Sequence, residues 1–300
     1  MARLKSYLSF MRVVLVFALA ISASAQPPLQ QRIAGIALDA RGSVSVACSL
    51  PGVRLDCGLN EHGHPPMQSV FKFPLALTVL HQIEEGKLRL AQQVRFEKSD
   101  RYPGSYSPLQ DQFPDADVDV RLDRLLQLSV GMSDNIATDI LLRLIGGPPT
   151  VQAYLDSLGF SAIHVRDTER AMHDDHGLQY RNSADPTAMV ALLRRFADKS
   201  PLNPEHTALL NEWITDTPST PNRIKGQLPP GTVVAHKGGS SDTENGITAA
   251  TNDVGLITLP NGKRLALAVF VTDAHADNAA RETAIARIAR AVYDQAIAAK

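Results

Sequence analysis

The spacing of apolar residues divides the chain into two strand-like regions with a long helical region between them. Near the N-terminus, apolar and polar positions alternate over residues 33–39 and again over residues 43–47. A period of two is typical of strands, and the short link at residues 40–42 contains a glycine, so a β-hairpin is predicted. Over residues 69–197 the spacing changes to that of helices.

The helical region begins with its most apolar segment. Residues 70–86 are apolar on nearly every side, which predicts a buried helix. Residues 146–149 read Gly-Gly-Pro-Pro, a sequence that ends one helix before the next begins. Residues 99–119 are polar and contain prolines, so we expect an irregular surface loop there. Further helices are predicted at residues 122–128, 135–145, 151–158, 186–196 and 204–213.

Strand patterns return after Pro230, and an alanine-rich helix is predicted at residues 279–299. The segment 259–263 contains Asn261 and Gly262, which favour a hairpin turn. The polar pair Asn252 and Asp253 predicts a break within the longest strand. The strands are expected at residues 233–236, 247–259 and 265–272.

Strands at both ends with helices between them favour an α+β fold over a doubly wound parallel sheet. We expect an antiparallel sheet flanked by helices, built from residues 26–65 and 216–300. An all-helical lobe at residues 66–215 would be inserted into this α/β sheet domain.

The first 25 residues have the features of a secretory signal peptide. Arg3, Lys5 and Arg12 supply positive charge, residues 13–21 are uninterrupted apolar residues, and residues 23–25 read Ala-Ser-Ala. This is the pattern of a cleaved signal. A membrane anchor is the alternative, but the apolar run is shorter than the roughly 20 residues of a spanning helix. We therefore expect a periplasmic or secreted protein with no membrane segment after cleavage.

The charge balance argues against a nucleic-acid partner. The chain has 30 basic and 31 acidic residues, a net charge of −1. Removing residues 1–25 removes three basic residues and no acidic ones, which shifts the charge to −4. Nucleic-acid binding usually requires a basic patch. We expect a monomer with a small-molecule partner.

Cys48 and Cys57 are the only 2 cysteines. Their proximity in an exported chain makes a local disulfide plausible. Two independent buried thiols are the equally weighted alternative.

The strongest chemical signal is Ser69 followed three residues later by Lys72, at the head of the apolar segment. On a helix this spacing places the lysine amine beside the serine hydroxyl. A lysine that loses its proton can activate the hydroxyl as a nucleophile, and the helix N-terminus favours the negative charge that develops. A surface serine and an ordinary lysine are the alternative for the isolated pair.

Two further groups follow in order: Ser133, Asp134 and Asn135, then Lys237, Gly238 and Gly239. Alone, the first could be a helix N-cap and the second a turn after an edge strand. Together with the Ser-x-x-Lys pair they resemble the penicillin-recognising serine enzymes, whose signature is S-x-x-K, S-D-N and K-T-G.

Glu169 distinguishes subgroups within this resemblance. It lies in a polar loop between helices, after the S-D-N group and before Lys237. That order is similar to class A β-lactamases. The chain also resembles the PER- and VEB-type extended-spectrum subgroup. This resemblance rests on Glu169 followed four residues later by His173, and on the segments 68–73, 223–226 and 228–237. The resemblance covers essentially the whole mature chain.

This resemblance implies hydrolysis of the β-lactam ring of penicillins and cephalosporins, which confers antibiotic resistance. Ser69 would be the acylated nucleophile and Glu169 the base for the hydrolytic water. Lys72 and Ser133 would carry protons, and His173 would help to hold the water. Whether Lys72 or Glu169 is the acylation base stays open.

The resemblance also assigns the substrate contacts. Asn135 would donate to a substrate amide carbonyl, and Lys237 would attract the substrate carboxylate. Gly239 allows a ligand to approach the backbone closely. The N–H groups of Ser69 and Ser240 would form an oxyanion hole.

Gly238 departs from the signature, which has threonine there. Because glycine lacks the hydroxyl that can bind the carboxylate, we expect Ser240 and Arg223 to compensate, the latter through its bidentate fork. Gly238→Thr is expected to be tolerated.

Zinc is the rival chemistry, suggested by His62, His64, His173 and His176. None of these pairs has the H-E-x-x-H spacing, so no metal or other cofactor is expected. The rival functions are a D,D-peptidase (a penicillin-binding protein) and a non-catalytic β-lactam sensor. Glu169 argues against the first, and the lack of a further membrane segment against the second.

Overall fold

The structure, a computed structural model, describes residues 27–299, and the predicted signal peptide at residues 1–25 lies outside the described residues. Strands β1 to β9 are Ser43–Ser49, Gln93–Phe96, Val118–Arg121, Ile163–His164, Ser183–Ala184, Val234–Ser240, Thr243–Glu244, Ile247–Thr258 and Arg264–Ala274. Helices α1 to α10 are Leu29–Ala37, Lys72–Glu84, Pro108–Gln112, Leu122–Leu126, Asn135–Ile145, Pro148–Ser157, Glu169–Asp174, Pro186–Asp198, Pro204–Thr215 and Asn278–Ala298.

One large antiparallel sheet joins the two ends of the chain. Its strands lie in the order β1, β9, β8, β6, and the short β7 pairs with β8. β1 follows helix α1 and pairs with β9, which lies near the C-terminus. The predicted α+β fold, with a sheet built from both termini, is confirmed.

The side chains of β9 show why this strand has an unbroken apolar sequence. Ala266, Ala268 and Phe270 point into a core that they share with the central helices. Leu267 and Val269 point to the opposite face, into a core shared with α1 and α10. Successive strand residues face opposite sides, so a strand covered on both faces is apolar at every position.

Helix α2 forms the centre of the helical region. All residues from Lys72 to Leu80 are buried, and the helix packs against α5, α6 and α9. Phe73 and Phe196 meet edge to face, with ring centroids 5.5 Å apart. Pro74 lies in the opening turn, where its missing N–H leaves no helical hydrogen bond unmade. The predicted buried helix is confirmed.

The predicted N-terminal hairpin is wrong. Residues 29–37 form helix α1, so β1 has β9 as its neighbour instead. Leu29 and Ile33 are the buried residues of α1, and they lie one helical turn apart. The same segment thus fits a period of 3.6 as well as a period of two, and packing against α10 decides for the helix.

The predicted break in the longest strand is also wrong, because β8 runs through Asn252 and Asp253. Both side chains are buried, and both are satisfied there. Asn252 Nδ2 donates to the carbonyl oxygens of Pro66 (2.7 Å) and Met67 (3.1 Å). Asp253 accepts from the Ile224 N–H at 3.1 Å. A buried polar residue with its partners in place need not interrupt a strand.

The small sheets were not predicted. β2 pairs with β3, and β4 pairs with β5. The segment predicted as an irregular loop at residues 99–119 contains the short helix α3 and the start of β3. Such short strands carry too few residues for alternation to be recognised. Among residues 27–299, no helix combines the length and the hydrophobicity that a membrane span requires.

The structure joins Cys48 and Cys57 in a disulfide, with their Cα atoms 6.1 Å apart. This settles the choice that the sequence left open. The bond fastens the end of β1 to the loop that follows it.

We predict that breaking this bond lowers the free energy of unfolding by about 2–3 kcal/mol, because a short closed loop restricts the unfolded chain only modestly. Urea denaturation of the oxidised protein, the reduced protein and the Cys48→Ala/Cys57→Ala variant measures the loss. The reduced wild type is the matched control, since it separates the bond from the change of side chains. Equal stability of the oxidised and reduced forms would contradict the prediction.

Candidate active site

Ser69 lies in a 3₁₀ turn, Gln68–Phe71, that leads directly into α2. Gln68 adopts a left-handed conformation, with φ +47°, and its side chain donates to Gln179 Oε1 at 2.7 Å. On the other side, Gly239 of β6 packs against this turn. A Cβ at residue 239 would collide with the carbonyl oxygen of Met67 and lie 3.2 Å from the Ser69 nitrogen. Only glycine lets the strand approach the serine this closely.

Lys72 is completely buried, and its amine is held by three groups. It donates to the Ser133 carbonyl oxygen (2.7 Å) and to Asn135 Oδ1 (2.6 Å). Glu169 Oε1 lies 2.9 Å away. This contact is an ion pair without hydrogen-bond geometry, because Glu169 Oε1 has no hydrogen-bond donor among the described residues. The sequence analysis predicted the Lys72 amine beside the Ser69 hydroxyl. In the structure the hydrogen bonds of this amine go to the S-D-N group.

The S-D-N group is both a helix cap and a part of the site. Asp134 caps α5 by accepting from the Ala137 N–H, and it also accepts from Ser107 Oγ (2.8 Å) and the Leu109 N–H (2.6 Å). Burial raises the pKa of Asp134 above its usual value. Because Asp134 does the capping, Ser133 is left free to line the cavity. The interpretation of this group as a helix N-cap and its interpretation as part of the active site are therefore compatible.

Glu169 begins helix α7, in a loop that β4 and β5 close at its base. Asn182 is buried within this loop, and its Oδ1 accepts from the N–H groups of Arg166 (2.7 Å) and Asp167 (3.0 Å). Thr168 caps α7 through the Ala171 N–H. These bonds orient the backbone from which the Glu169 side chain projects.

Asp139 is a residue of the site that the sequence analysis missed. Its two carboxylate oxygens accept from the N–H groups of Glu169 (2.8 Å) and Arg170 (2.9 Å). Burial, and then the nearby Glu169 charge, raise the pKa of Asp139 to about 7, although the two N–H donors oppose the shift. The available signal was its position one turn after Asn135 on α5, which puts both side chains on one helix face.

Lys237 links the sheet to the S-D-N group. Its amine donates to Ser133 Oγ at 2.9 Å and to its neighbour's carbonyl, Gly238 O, at 2.7 Å. Burial, and secondarily the positive charge of Lys72, lower the pKa of Lys237 well below its usual value. A hydrogen bond from Lys237 leaves the Ser133 hydroxyl free to donate its own proton elsewhere.

The expectation that Arg223 offers its fork to the substrate is not met in this structure. Its guanidinium is buried, and Nη1 donates to the carbonyl oxygens of Gly239 (2.9 Å) and Asn252 (2.8 Å). Nη2 donates to Ser240 Oγ at 2.6 Å, and Nε lies 3.2 Å from Glu282 Oε1. With its donors engaged inside the protein, Arg223 supports Ser240 and β6 from behind.

The expected tolerance of Gly238→Thr requires Thr220 to move. A Cβ at residue 238 would lie 2.5 Å from Thr220 Cγ2 and 2.6 Å from Thr220 Oγ1. A side chain at residue 238 therefore cannot be added unless Thr220 moves.

These elements surround an open cavity of about 460 Å³. Its walls also include His173, whose ring lies 5.0 Å from that of Tyr102. Lys72, Arg223, Lys237 and Gly239 are not part of the cavity wall and lie behind it. The candidate site residues that line the cavity are Ser69, Ser133, Asn135, Glu169, His173, Gly238 and Ser240.

The histidines considered as metal ligands have other contacts. His62 Nδ1 lies 3.1 Å from Asp185 Oδ2, and the ring of His64 lies 5.9 Å from that of His164. His176 contacts Glu244. Within residues 27–299, no group of three or more His, Cys, Asp or Glu side chains is arranged to hold a metal ion.

Comparison with known proteins gives one consistent result. The sequence pattern of the "Beta-lactamase enzyme family" matches residues 28–296. The chain is 39% identical to the extended-spectrum β-lactamase PER-1 of Pseudomonas aeruginosa over 271 residues, which is 90% of this chain and 88% of that protein. It is 41% identical to the β-lactamase VEB-1 of Pseudomonas aeruginosa over 238 residues, 79% of each chain.

Solved structures agree with the sequence relatives. The crystal structure of the TLA-1 extended-spectrum β-lactamase superposes with a TM-score of 0.87 at 40% identity, covering 90% of this chain and 98% of that one. A β-lactamase from Chitinophaga pinensis gives a TM-score of 0.85 at 40% identity, covering 89% and 99%.

The raised pKa of Asp139 predicts a pH dependence of stability. An ordinary unfolded aspartate has a pKa of about 3.9, so between about pH 4 and 7 the folded state binds the Asp139 proton more tightly. The stability that this proton contributes is present in acid and is lost as the pH rises through about 7. We predict that the wild type loses stability relative to Asp139→Asn between pH 5 and 8.

Denaturant unfolding of both proteins across this pH range is the measurement. Asp111→Asn, at an exposed position, is the matched control and should follow the wild type. Glu169→Gln should weaken the effect, because the Glu169 charge is the second cause of the shift. Parallel curves for the wild type and Asp139→Asn would show that Asp139 does not titrate in this range.

Proposed function

The chain belongs to the beta-lactamase enzyme family and is a class A serine β-lactamase, and we propose that it works through Ser69 and Glu169. It hydrolyses the lactam ring of penicillins and cephalosporins and thereby confers resistance. The observation that carries our assignment is the convergence of Lys72, Ser133, Glu169 and Lys237 beside one serine. Loss of the colour change with nitrocefin, a chromogenic β-lactam, in a Ser69→Ala variant is the direct test.

In the acylation step, Ser69 Oγ attacks the lactam carbonyl carbon. The N–H groups of Ser69 and Ser240 stabilise the oxyanion, because preorganised donors act strongly in a site shielded from water. The C–N bond then breaks, and the nitrogen takes up the proton that Ser69 released. Ser133 delivers that proton. Its oxygen already accepts a hydrogen bond from Lys237, which leaves its own O–H group free to donate to the nitrogen. Either Glu169 or Lys72 removes the proton first. Lys72 can act as the base only after its ammonium group has passed a proton to the adjacent Glu169 carboxylate, 2.9 Å away.

In the deacylation step, Glu169 takes a proton from a water that attacks the ester carbon. The bond between that carbon and Ser69 Oγ then breaks, and the proton passes to Ser69 Oγ, which restores the free enzyme. Its Oε1 accepts no hydrogen bond from the described residues and belongs to a side chain in the cavity wall. His173 lies one turn further along α7, on the same face, where it can orient this water. Asp139 acts through the backbone of Glu169 and is a positioning residue.

Glu169 also separates this function from the two rivals. A D,D-peptidase and a β-lactam sensor share the acylation groups but lack an efficient base for deacylation. The ion pair with buried Lys72 keeps the Glu169 carboxylate at the site. The hydrolase is the function that this arrangement favours.

We also propose that the protein works as a monomer in the periplasm or outside the cell. A disulfide is typical of oxidising compartments, which supports export. Ser69, Ser133 and Glu169, which carry the proposed reaction, line one cavity within a single chain, which supports a monomer. We further propose that the chain forms a sheet domain (26–65 and 216–300) and a helical domain (66–215). The buried core between the sheet, α1 and α10 is built from residues of the sheet domain, which supports this division.

Acylation at Ser69 predicts a covalent adduct. Incubation with a slowly hydrolysed β-lactam should add the mass of the drug to the peptide that contains Ser69, because the nucleophile keeps the acyl group until water removes it. Peptide mass spectrometry locates the adduct, and Ser69→Ala should abolish it. A main adduct on any other residue would overturn the assignment.

Deacylation through Glu169 predicts that Glu169→Ala is trapped as acyl-enzyme while turnover nearly stops. Loss of a positioned general base commonly lowers the rate by a factor of about 10² to 10⁴. Intact-protein mass spectrometry during turnover measures the trapped fraction. The exposed Glu212 provides the control, because Glu212→Ala should turn over as the wild type does. His173→Ala should be less harmful, since it orients the water without removing its proton. If Glu169→Ala deacylates at the parental rate, another group must be the base.

A further inference from the structure

Two cavity residues far apart in sequence, Gly238 and Thr220, share one space. The three atoms nearest to a Cβ built on Gly238 all belong to the Thr220 side chain: Cγ2 at 2.5 Å, Oγ1 at 2.6 Å and Cβ at 3.0 Å. Both residues line the cavity beside Ser69 and Ser133. Thr220 therefore fills the volume that a side chain at residue 238 would occupy.

The hydroxyl of Thr220 has no partner. Its Oγ1 is enclosed against the protein and makes no hydrogen bond among the described residues. An enclosed polar atom left unpaired destabilises the folded protein. The backbone adds a second cost, because Thr220 has φ +50°, a conformation that β-branched residues rarely adopt. Unpaired groups and strained backbone of this kind collect at functional sites.

Few of the surrounding groups can donate a hydrogen bond to a substrate carboxylate. Lys237 lies behind the cavity wall, and its amine already donates to Ser133 Oγ and to the Gly238 carbonyl oxygen. Arg223 is engaged within the protein. A substrate carboxylate has two oxygens with about four acceptor positions, and Gly238 offers no side-chain donor to them.

We propose, as an extension of the proposed function, that Thr220 donates the carboxylate hydrogen bond that a hydroxyl at residue 238 would otherwise make. A rotation about the Cα–Cβ bond of Thr220 turns the hydroxyl toward the cavity and keeps the methyl group against Gly238. The hydroxyl gains a charged partner only when substrate arrives, so the bond contributes to substrate binding.

Simple space filling is the alternative role for Thr220, and the Thr220→Val variant distinguishes the two. Valine keeps the branched shape and removes only the hydroxyl. With a cephalosporin that carries its free carboxylate, we expect kcat/KM to fall about 10- to 100-fold, mainly through a higher KM, because a bond to a charged group is lost. With the methyl ester of the same cephalosporin, the wild type and Thr220→Val should differ less than about threefold. A role in space filling alone would affect both substrates equally.

Two further variants keep the test decisive if valine disturbs folding. Thr220→Ser retains the hydroxyl and should keep the preference for the acid, whereas Thr220→Ala should lose it. Thr187→Val is the matched control on the surface, and the melting temperature of every variant is measured alongside. Equal ratios of acid to ester turnover in Thr220→Val, Thr220→Ala and the wild type would overturn the proposal.

An exchange of the two side chains gives an independent test. Gly238→Thr alone should lose activity through collision with Thr220, and Thr220→Gly/Gly238→Thr should recover most of the acid preference. Glycine also relieves the left-handed strain at residue 220. Failure of the double variant to exceed both single variants would count against the shared space. If the wild type hydrolyses neither substrate, the proposed function fails instead.

Discussion

The buried charge of Lys72 is the constraint on which the rest of the site depends. An ammonium ion removed from water costs several kcal/mol unless partners converge on it. The partners are the Ser133 carbonyl, Asn135 Oδ1 and the Glu169 carboxylate. They come from the start of α5 and from the loop that carries α7, so the helical region can bury α2 completely only when both segments are in place. The interactions that make this burial possible therefore also assemble the proton-transfer groups.

A second set of buried polar contacts sets the sheet against the nucleophile. Asn252, in the middle of β8, donates to the backbone just before Ser69. Arg223 joins that strand to β6 through the carbonyls of Asn252 and Gly239. An unpaired buried amide or guanidinium would be costly, which favours a single register of the sheet relative to the turn at Ser69. The backbone donors proposed for the oxyanion thus lie on a rigid frame.

The local pattern of apolar and polar residues predicted the elements that are long and strongly periodic, such as α2, α5, α10 and the C-terminal strands. It failed where the outcome depends on a distant partner. Residues 29–37 fit both periods, and α10 decides between them. Asn252 looked like a strand breaker because its acceptors, at Pro66 and Met67, are remote in sequence. The ordered motifs identified the chemistry, but the role of Asp139 depends on a loop that folds back onto α5.

The departure at Gly238 shows what a linear motif leaves out. A motif records which residue stands on β6, whereas the cavity wall at this point has two layers, the strand and the segment that contains Thr220. Because the two side chains compete for one space, neither position can be judged alone: a threonine on the strand requires a small residue opposite, and a threonine opposite requires glycine on the strand. Substitutions at such pairs are strongly non-additive. A mismatch to a catalytic signature is therefore informative only after the residue that packs against it is known.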